Sequence, residues 1–74
     1  MDCIIKCIWD PEAQVWVAMS DDEIGLTLES PSFDILVERV KLAAPEMIEL
    51  NCQYTGPITL SILAERSENL EAVA

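Results

Sequence analysis

The chain has 74 residues, and its 14 Asp and Glu against 4 Lys and Arg give a formal net charge of −10. This length suits one domain, whose small core usually needs a disulfide, a metal ion or self-association for stability. The acidic balance disfavours direct DNA or RNA binding, because clustered Lys and Arg neutralise phosphate backbones. A basic protein partner is the complementary expectation, although excess acid also simply keeps a small protein soluble.

The cysteines do not predict a disulfide framework or a metal site. Cys3, Cys7 and Cys52 are odd in number, and no signal peptide precedes them, so we expect reduced thiols in the cytoplasm. The chain has no histidine, which disfavours both zinc binding and a cysteine–histidine catalytic pair. We therefore expect no enzyme activity, no cofactor and no metal, and we expect self-association to supply the missing stability.

Three short β-strands are predicted in the first thirty residues. Residues 3–9 and 14–19 are rich in β-branched and aromatic side chains and flank the turn-like segment DPEA, a pattern that predicts a hairpin. Residues 24–29 predict a third strand, in which Gly25 suggests a bulge or a close backbone approach.

A run of carboxylates, Asp21, Asp22 and Glu23, falls in the connection before the third strand. Calcium loops space their oxygen ligands through a longer segment, and catalytic carboxylates need a pocket that perturbs their pKa, so neither role is predicted. A solvated loop is the expected role, with a secondary role in steering a basic partner.

A long helix is predicted after the third strand. Ser30 or Ser32 suits the N-cap, and Asn51 suits the end of the helix. Pro45 predicts either a kink or two short helices that meet near Ala44. One helical face is apolar, and it consists of Phe33, Leu36, Val37, Val40, Ala44, Met47 and Ile48.

Residues 58–64 predict a fourth strand, which follows the turn signal Gly56-Pro57. Residues 67–74 predict a frayed tail or a short helical turn. The predicted fold is therefore α+β: a two-layer β-β-β-α-β domain over residues 1–66, with a four-stranded, mainly antiparallel sheet and one Pro-kinked helix on one face. No apolar run reaches the roughly 18 residues that span a bilayer, so no membrane contact is expected.

Side-chain alternation assigns the two faces of this sheet. The helix-facing sets are predicted to be Ile5, Cys7 and Trp9; Val15, Val17 and Met19; Ile24, Leu26 and Leu28; and Ile58, Leu60, Ile62 and Ala64. The outer face then retains an apolar set, Ile4, Ile8, Trp16, Ala18 and Leu63. A contiguous exposed apolar patch usually marks an association site.

Trp16 is the predicted centre of that association site. Tryptophan is enriched at binding hot spots, and a tryptophan exposed to water leaves a large apolar surface unburied. We expect a homodimer through the outer sheet face or a strand edge near Trp16, with Ile4, Ile8 and Leu63 as neighbours. The alternatives are that the C-terminal tail folds back over the patch, or that the register of the first strand is shifted by one residue, which would exchange its faces.

The segments WDPEAQVWVAMSDDEIGL and FDILVERVKLAAPEMIELN together resemble the HicB-like antitoxin superfamily, in particular a compact family of uncharacterised function. The matching features are W-D-P-E-x-x-V-W-V-A, a G-L pair, and L-V-E-R and P-E in the helix, over about residues 4–51. The resemblance implies a dimeric β-β-β-α-β fold. It also implies neutralisation of a small basic HicA-type mRNA-cleaving toxin by covering its active site.

Two functions follow as expectations. The first is a protein-binding module that neutralises such a basic toxin, without the DNA-binding domain that full antitoxins usually add. The alternative is a solitary homo-oligomeric regulatory or small-ligand-binding domain. A neighbouring short reading frame that encodes a basic protein would favour the first.

Overall fold

The computed structural model describes residues 1–72 and contains four strands and one long helix. Strand β1 spans Asp2–Asp10, β2 Val15–Met19, β3 Thr27–Ser30 and β4 Thr59–Glu65, and helix α1 spans Phe33–Cys52. The sheet order is β3-β2-β1-β4. The β3–β2 and β2–β1 pairs are antiparallel, and the β1–β4 pair is parallel, so the predicted α+β fold with a mainly antiparallel sheet is confirmed.

The first hairpin turns at the DPEA segment. The Asp10 carboxylate accepts hydrogen bonds from the backbone N–H groups of Glu12 at 3.0 Å and Ala13 at 3.3 Å, so it closes the turn as an aspartate at a turn start commonly does. Gln14 ends the turn with a positive φ of 58°. This geometry pairs Asp10 with Val15 and fixes the register of the whole hairpin.

The predicted face assignment of β2 is wrong. Cys7 pairs with Ala18 and Trp9 with Trp16, so Trp16 and Ala18 lie on the helix-facing side, and Ala18 is fully buried. The outward side chains of this strand are Val15, Val17 and Met19. Every residue of β2 is apolar, so alternation along this strand distinguishes no face; the hairpin register does so instead.

The third strand is shorter than predicted, because residues 20–26 form a loop. Ile24 and Leu26 still point into the core, where both are buried. Gly25 lies in a turn rather than a strand bulge, with a φ of 71° that disfavours side chains with a Cβ atom. The backbone N–H of Gly25 donates to the carbonyl oxygen of Asp21 at 3.0 Å, which closes the turn.

Helix α1 is one unbroken helix, so the alternative of two short helices is wrong. Ser32 is the N-cap, and its hydroxyl accepts a 3.3 Å hydrogen bond from the Ile35 N–H. Pro45 lies inside the helix on its exposed side. The helix continues past Asn51 to Cys52 and is capped by Gln53, whose left-handed backbone lets its N–H reach the Glu49 carbonyl.

The core lies between the inner face of the sheet and the predicted apolar face of the helix. Its buried side chains are Cys3, Ile5, Cys7, Ala18, Ile24, Leu26, Leu36, Val40, Ala44 and Ile48. The helix approaches β3 and β2 most closely, at one side of the sheet. The opposite half, towards β4, is therefore covered less completely.

Residues 66–72 follow β4 without helix or strand, which agrees with a tail and not with a helical turn over this range. The last two residues of the predicted tail, 73 and 74, lie outside the described residues. Arg66 begins the tail, and its guanidinium lies 4.2 Å from the centre of the Trp9 ring. This cation–π contact fixes the start of the tail against the end of β1.

Leu36→Ala tests the core assignment. We expect a loss of about 2–5 kcal/mol in the free energy of unfolding, because Leu36 is fully buried and truncation leaves a cavity. Urea unfolding followed by far-UV circular dichroism measures the loss. The matched control is Leu42→Ala, at a 76% exposed position on the same helix, where we expect a change within about 0.5 kcal/mol. Equal midpoints for the two variants would contradict the core described above.

Candidate functional site

The outer face of the sheet carries the most extensive exposed apolar surface that the strands present. We call it the outer patch; its members are Ile4, Ile8, Val17, Met19 and Leu63. Four of them are substantially exposed: Ile4 at 54%, Ile8 at 46%, Met19 at 39% and Leu63 at 56%. They belong to three adjacent strands, β2, β1 and β4, so they form one surface rather than isolated side chains.

Cross-strand pairing fixes the arrangement of this surface. Lys6 lies in the central strand between Met19 on one side and Leu63 on the other. Two residues further along β1, Ile8 lies between Val17 of β2 and Glu65 of β4. Val17 in turn pairs with Glu29 of β3. The result is an apolar surface with one cation, Lys6, at its centre and with carboxylates on both strand edges.

The acidic turn, Asp21-Asp22-Glu23, borders one end of the outer patch. Ile4, Lys6, Ile8, Met19, Ser20 and Asp21 line one surface depression, so the patch and the turn are contiguous. The Asp21 carboxylate accepts a 3.1 Å hydrogen bond from the Ile24 N–H, which gives this residue a structural role in the turn. Asp22 and Glu23 are exposed at its tip and are the carboxylates available to a partner.

The acidic turn is held in place by the helix. The Asn51 side-chain amide donates a 2.8 Å hydrogen bond to the Ile24 carbonyl, across 27 residues of sequence. Ser20 stabilises the other end of the loop, where its hydroxyl accepts a 2.8 Å hydrogen bond from the Leu26 N–H. Together with the buried Ile24 and Leu26 side chains, these bonds give the three carboxylates a defined position beside the sheet.

The positive charges do little to offset this acidity, because three of the four cations contact groups of the chain itself. Arg39 donates to the Glu29 carbonyl at 2.7 Å, and Lys41 lies 3.1 Å from a Glu38 carboxylate oxygen. Arg66 pairs with Glu68 at 2.7 Å in addition to its contact with Trp9. Lys6 is the cation that lies within the outer patch.

Trp16 does not belong to the outer patch, contrary to the prediction. Its ring makes edge-to-face contacts with Trp9 at 5.6 Å and with Phe33 at 5.1 Å between ring centres. These three aromatic rings close the core beside the first turn of the helix. Ile4, Ile8 and Leu63, the other apolar residues of the predicted interface, do lie on the outer face.

Sequence reasoning missed four residues of this surface, Val17, Met19, Glu29 and Glu65. The predicted alternation places Val17 and Met19 inward together with Val15, and it places Trp16 and Ala18 outward. Only the strand order shows that Glu29 and Glu65 border this surface on its two sides, since β3 and β4 lie at opposite edges of the sheet. The hairpin length was the available signal for β2, because a four-residue turn opposes Asp10 to Val15.

The buried cysteines show no features of a reactive site. Burial raises the pKa of Cys7, and burial together with the nearby Asp21 carboxylate raises the pKa of Cys3. A raised thiol pKa disfavours the reactive thiolate near neutral pH. Within residues 1–72, no group of three or more His, Cys, Asp or Glu side chains is arranged to hold a metal ion. Nor does any helix in this range combine the length and apolar composition needed to cross a bilayer.

The fold and its surfaces define a small α+β domain whose sheet is covered by a helix on one face and presents an apolar, acid-rimmed surface on the other. Comparison with protein families matches residues 2–73 to a domain of unknown function, DUF1902, and the chain belongs to that family.

A solved structure is also similar to this chain: a hypothetical protein from the extremely thermophilic bacterium Thermus thermophilus. It has 32% sequence identity and a TM-score of 0.77, and the match covers 95% of this chain and 100% of that one. No curated protein matches the chain.

Trp16→Glu and Ile8→Glu distinguish the two sheet faces. We expect Trp16→Glu to lower the free energy of unfolding by at least about 2 kcal/mol, because it removes two aromatic contacts and puts a charge beside the core. Ile8→Glu, on the outer face, should cost about 1 kcal/mol or less. Urea unfolding measures both, and a larger loss for Ile8→Glu would reverse the face assignment.

Proposed function

We propose that this chain is a non-catalytic protein-binding module of the HicB antitoxin kind, which binds a small basic protein in the cytoplasm through the outer patch. A HicA-like mRNA-cleaving toxin is the partner class that the sequence resemblance implies. The observation that carries the proposal is the contiguity of an exposed apolar surface with the acidic turn.

The outer patch supports a protein partner rather than a small molecule. Its apolar side chains spread over three strands, and a small ligand in the depression beside Asp21 would leave Val17 and Leu63 uncovered. Small-molecule sites usually gather their apolar contacts around one ligand and cover most of it. An apolar centre with a polar rim is the usual anatomy of a protein–protein interface.

The carboxylates support a basic partner. Asp22 and Glu23 project from the acidic turn at one end of the patch, and Glu29 and Glu65 lie at its two strand edges. Opposite potentials accelerate association and disfavour partners of like charge. Lys6 weakens the negative potential at the centre of the outer patch. Its aliphatic stem nevertheless adds to the apolar surface, while its ammonium group reaches water.

Neutralisation of an RNA-cleaving partner would then need no chemistry from this chain. Such a partner binds RNA phosphates through its own cations, as protein–RNA complexes do. Carboxylates that pair with those cations compete directly with the phosphates, while apolar contacts at the outer patch hold the two proteins together. The same interactions would cover the active site of the partner.

We also propose that the module forms a homodimer. In the alternative function, a solitary regulatory or small-ligand-binding domain, the homodimer would be the whole assembly. An observation that favours self-association is the uncharged stretch of residues 51–64, which gives this strongly acidic chain one region where two copies can meet without direct repulsion.

Capture from a lysate of the source organism, with the purified chain as bait, tests the proposed function. We expect retention of a small basic protein, identified by mass spectrometry, and stoichiometric inhibition of its RNA cleavage by the bait. The double variant Asp22→Asn, Glu23→Gln should bind that purified protein about two- to thirtyfold more weakly, because an exposed ion pair contributes about 0.2–1 kcal/mol.

The control has the same change in charge away from the acidic turn. Glu12→Gln with Glu46→Gln neutralises one exposed carboxylate in the first hairpin turn and one on the helix, and it should leave the affinity within about twofold. Isothermal titration at two salt concentrations measures both variants. The proposal fails if no basic protein is retained, or if the two double variants weaken binding equally.

A further inference from the structure

Strand β4 presents an open edge that lacks the features by which proteins normally block edge pairing. It lies at one end of the sheet and spans Thr59–Glu65, seven residues with the sequence TLSILAE. Natural edge strands are usually short or contain proline, lysine or a bulge, because an open edge otherwise accepts another strand. The opposite edge strand, β3, fits that rule, with four residues followed by Pro31.

The hydrogen-bond pattern shows which peptide groups of β4 are directed outward. The Thr59 N–H donates to the Met1 carbonyl at 2.8 Å, on the β1 side. Peptide groups alternate in direction along a strand, so those of Ser61 and Leu63 also face β1. The N–H and C=O groups of Leu60, Ile62 and Ala64 therefore form the open edge.

Charge makes this edge the favourable place for a second copy of the chain. Two copies that each carry a net charge of −10 repel each other over most of their surfaces. Residues 51–64 contain no charged side chain, and this is the longest uncharged run in the sequence. It includes all of β4 except Glu65.

The inner side of β4 is also incompletely covered. Ala64 pairs with the fully buried Cys7 and points to the same face, yet it is exposed. Leu60 and Ile62 point to that face as well and are half-buried. Helix α1 approaches β3 and β2 most closely, and β4 is the edge strand on the other side of the sheet, so this part of the inner face is less completely covered.

We propose that two copies of the chain pair along β4, antiparallel and two-fold symmetric about Ile62, to form one continuous eight-stranded sheet. This inference rests on the homodimer included in the proposed function. Centring the axis on Ile62 pairs the whole strand, since residue 60 then opposes 64 and residue 59 opposes 65. The outward peptide groups of Leu60, Ile62 and Ala64 meet their counterparts in hydrogen-bonded pairs.

Side chains are compatible with this register. The large Leu60 lies across from the small Ala64 of the second copy, on the inner face that the helix leaves open. Glu65 lies across from the uncharged Thr59, and the two Glu65 carboxylates are about 20 Å apart at 3.4 Å per residue. That separation exceeds the Debye length of about 8 Å at physiological ionic strength, so their repulsion is screened.

Light scattering on size-exclusion fractions tests the pairing. We expect twice the chain mass for the wild type and for Ala64→Ser, and the mass of one chain for Ala64→Pro. Proline removes an outward N–H and is tolerated on an open strand edge, whereas serine retains that N–H and stays small. Circular dichroism confirms that each variant is folded. A monomeric wild type, or a folded Ala64→Pro that stays dimeric, overturns the proposal.

Amide hydrogen exchange on the wild type provides a second test that needs no variant. In the dimer, the amides of Leu60, Ile62 and Ala64 should exchange as slowly as those of Ser61 and Leu63, which bond to β1. Dilution below the dissociation constant should accelerate exchange at the first three positions only. Fast exchange at 60, 62 and 64 in concentrated protein, with slow exchange at 61 and 63, overturns the proposal.

Salt dependence separates this inference from binding of a basic partner. Added salt screens repulsion between two acidic copies, so the dimer should be as strong or stronger at 0.5 M sodium chloride as at 0.05 M. Binding of a basic protein should weaken over the same range.

If Ala64→Pro abolishes the dimer but retains the basic partner, the β4 pairing stands, and the partner occupies a different surface. If β4 amides become protected only when the basic protein is added, that protein is the occupant, and the pairing of two copies is wrong.

Discussion

The alternation of side chains along β1 divides this molecule into a buried core face and an exposed outer face. Cys3, Ile5 and Cys7 point to the helix and are fully buried, whereas Ile4, Lys6 and Ile8 point to the other side and are exposed. Because β1 is paired on both edges, its register with β2 and β4 assigns the side chains of these neighbours to the same two faces. A shift of one residue would exchange the core with the outer patch.

The acidic turn depends on the same division. It connects β2 to β3, and its buried Ile24 and Leu26 attach it to the inner layer, while the bond from Asn51 ties it to the end of the helix. The carboxylates of Asp22 and Glu23 are therefore held by the core but displayed beside the outer patch. A rigid scaffold that presents a short charged segment at a defined place is a common arrangement for recognition.

The distribution of charge favours different surfaces for the two proposed associations, binding of a basic partner and pairing of two copies. The outer patch is bordered by carboxylates on the acidic turn and on both edge strands, which suits a basic partner. The open edge of β4 lies in the longest uncharged run of the sequence, which suits a second acidic copy. Leu63 and Glu65 lie on β4 and on the outer face at once, so dimerisation would bring two outer faces side by side and would extend the surface available to a partner.

Much of the fold and part of the site were predictable from the sequence. The long amphipathic helix with a serine N-cap, the hairpin at Asp10-Pro11, the fourth strand and the outward positions of Ile4 and Ile8 follow from local periodicity and turn chemistry, whereas the choice of Ser32 over Ser30 as the cap does not. The net charge and the acidic turn are properties of composition. The protein-binding role assigned to these residues remains a prediction.

Tertiary structure decided what local pattern leaves ambiguous. Both faces of β2 are apolar, so only its pairing with β1 placed Trp16 against Phe33 and Val17 in the outer patch. Continuity of the helix through Pro45 depends on the burial of Ala44 and Ile48 on either side, which offsets the missing N–H. The position of β4 beside β1, and hence its open edge, depends on contacts between residues more than fifty positions apart, which no local periodicity encodes.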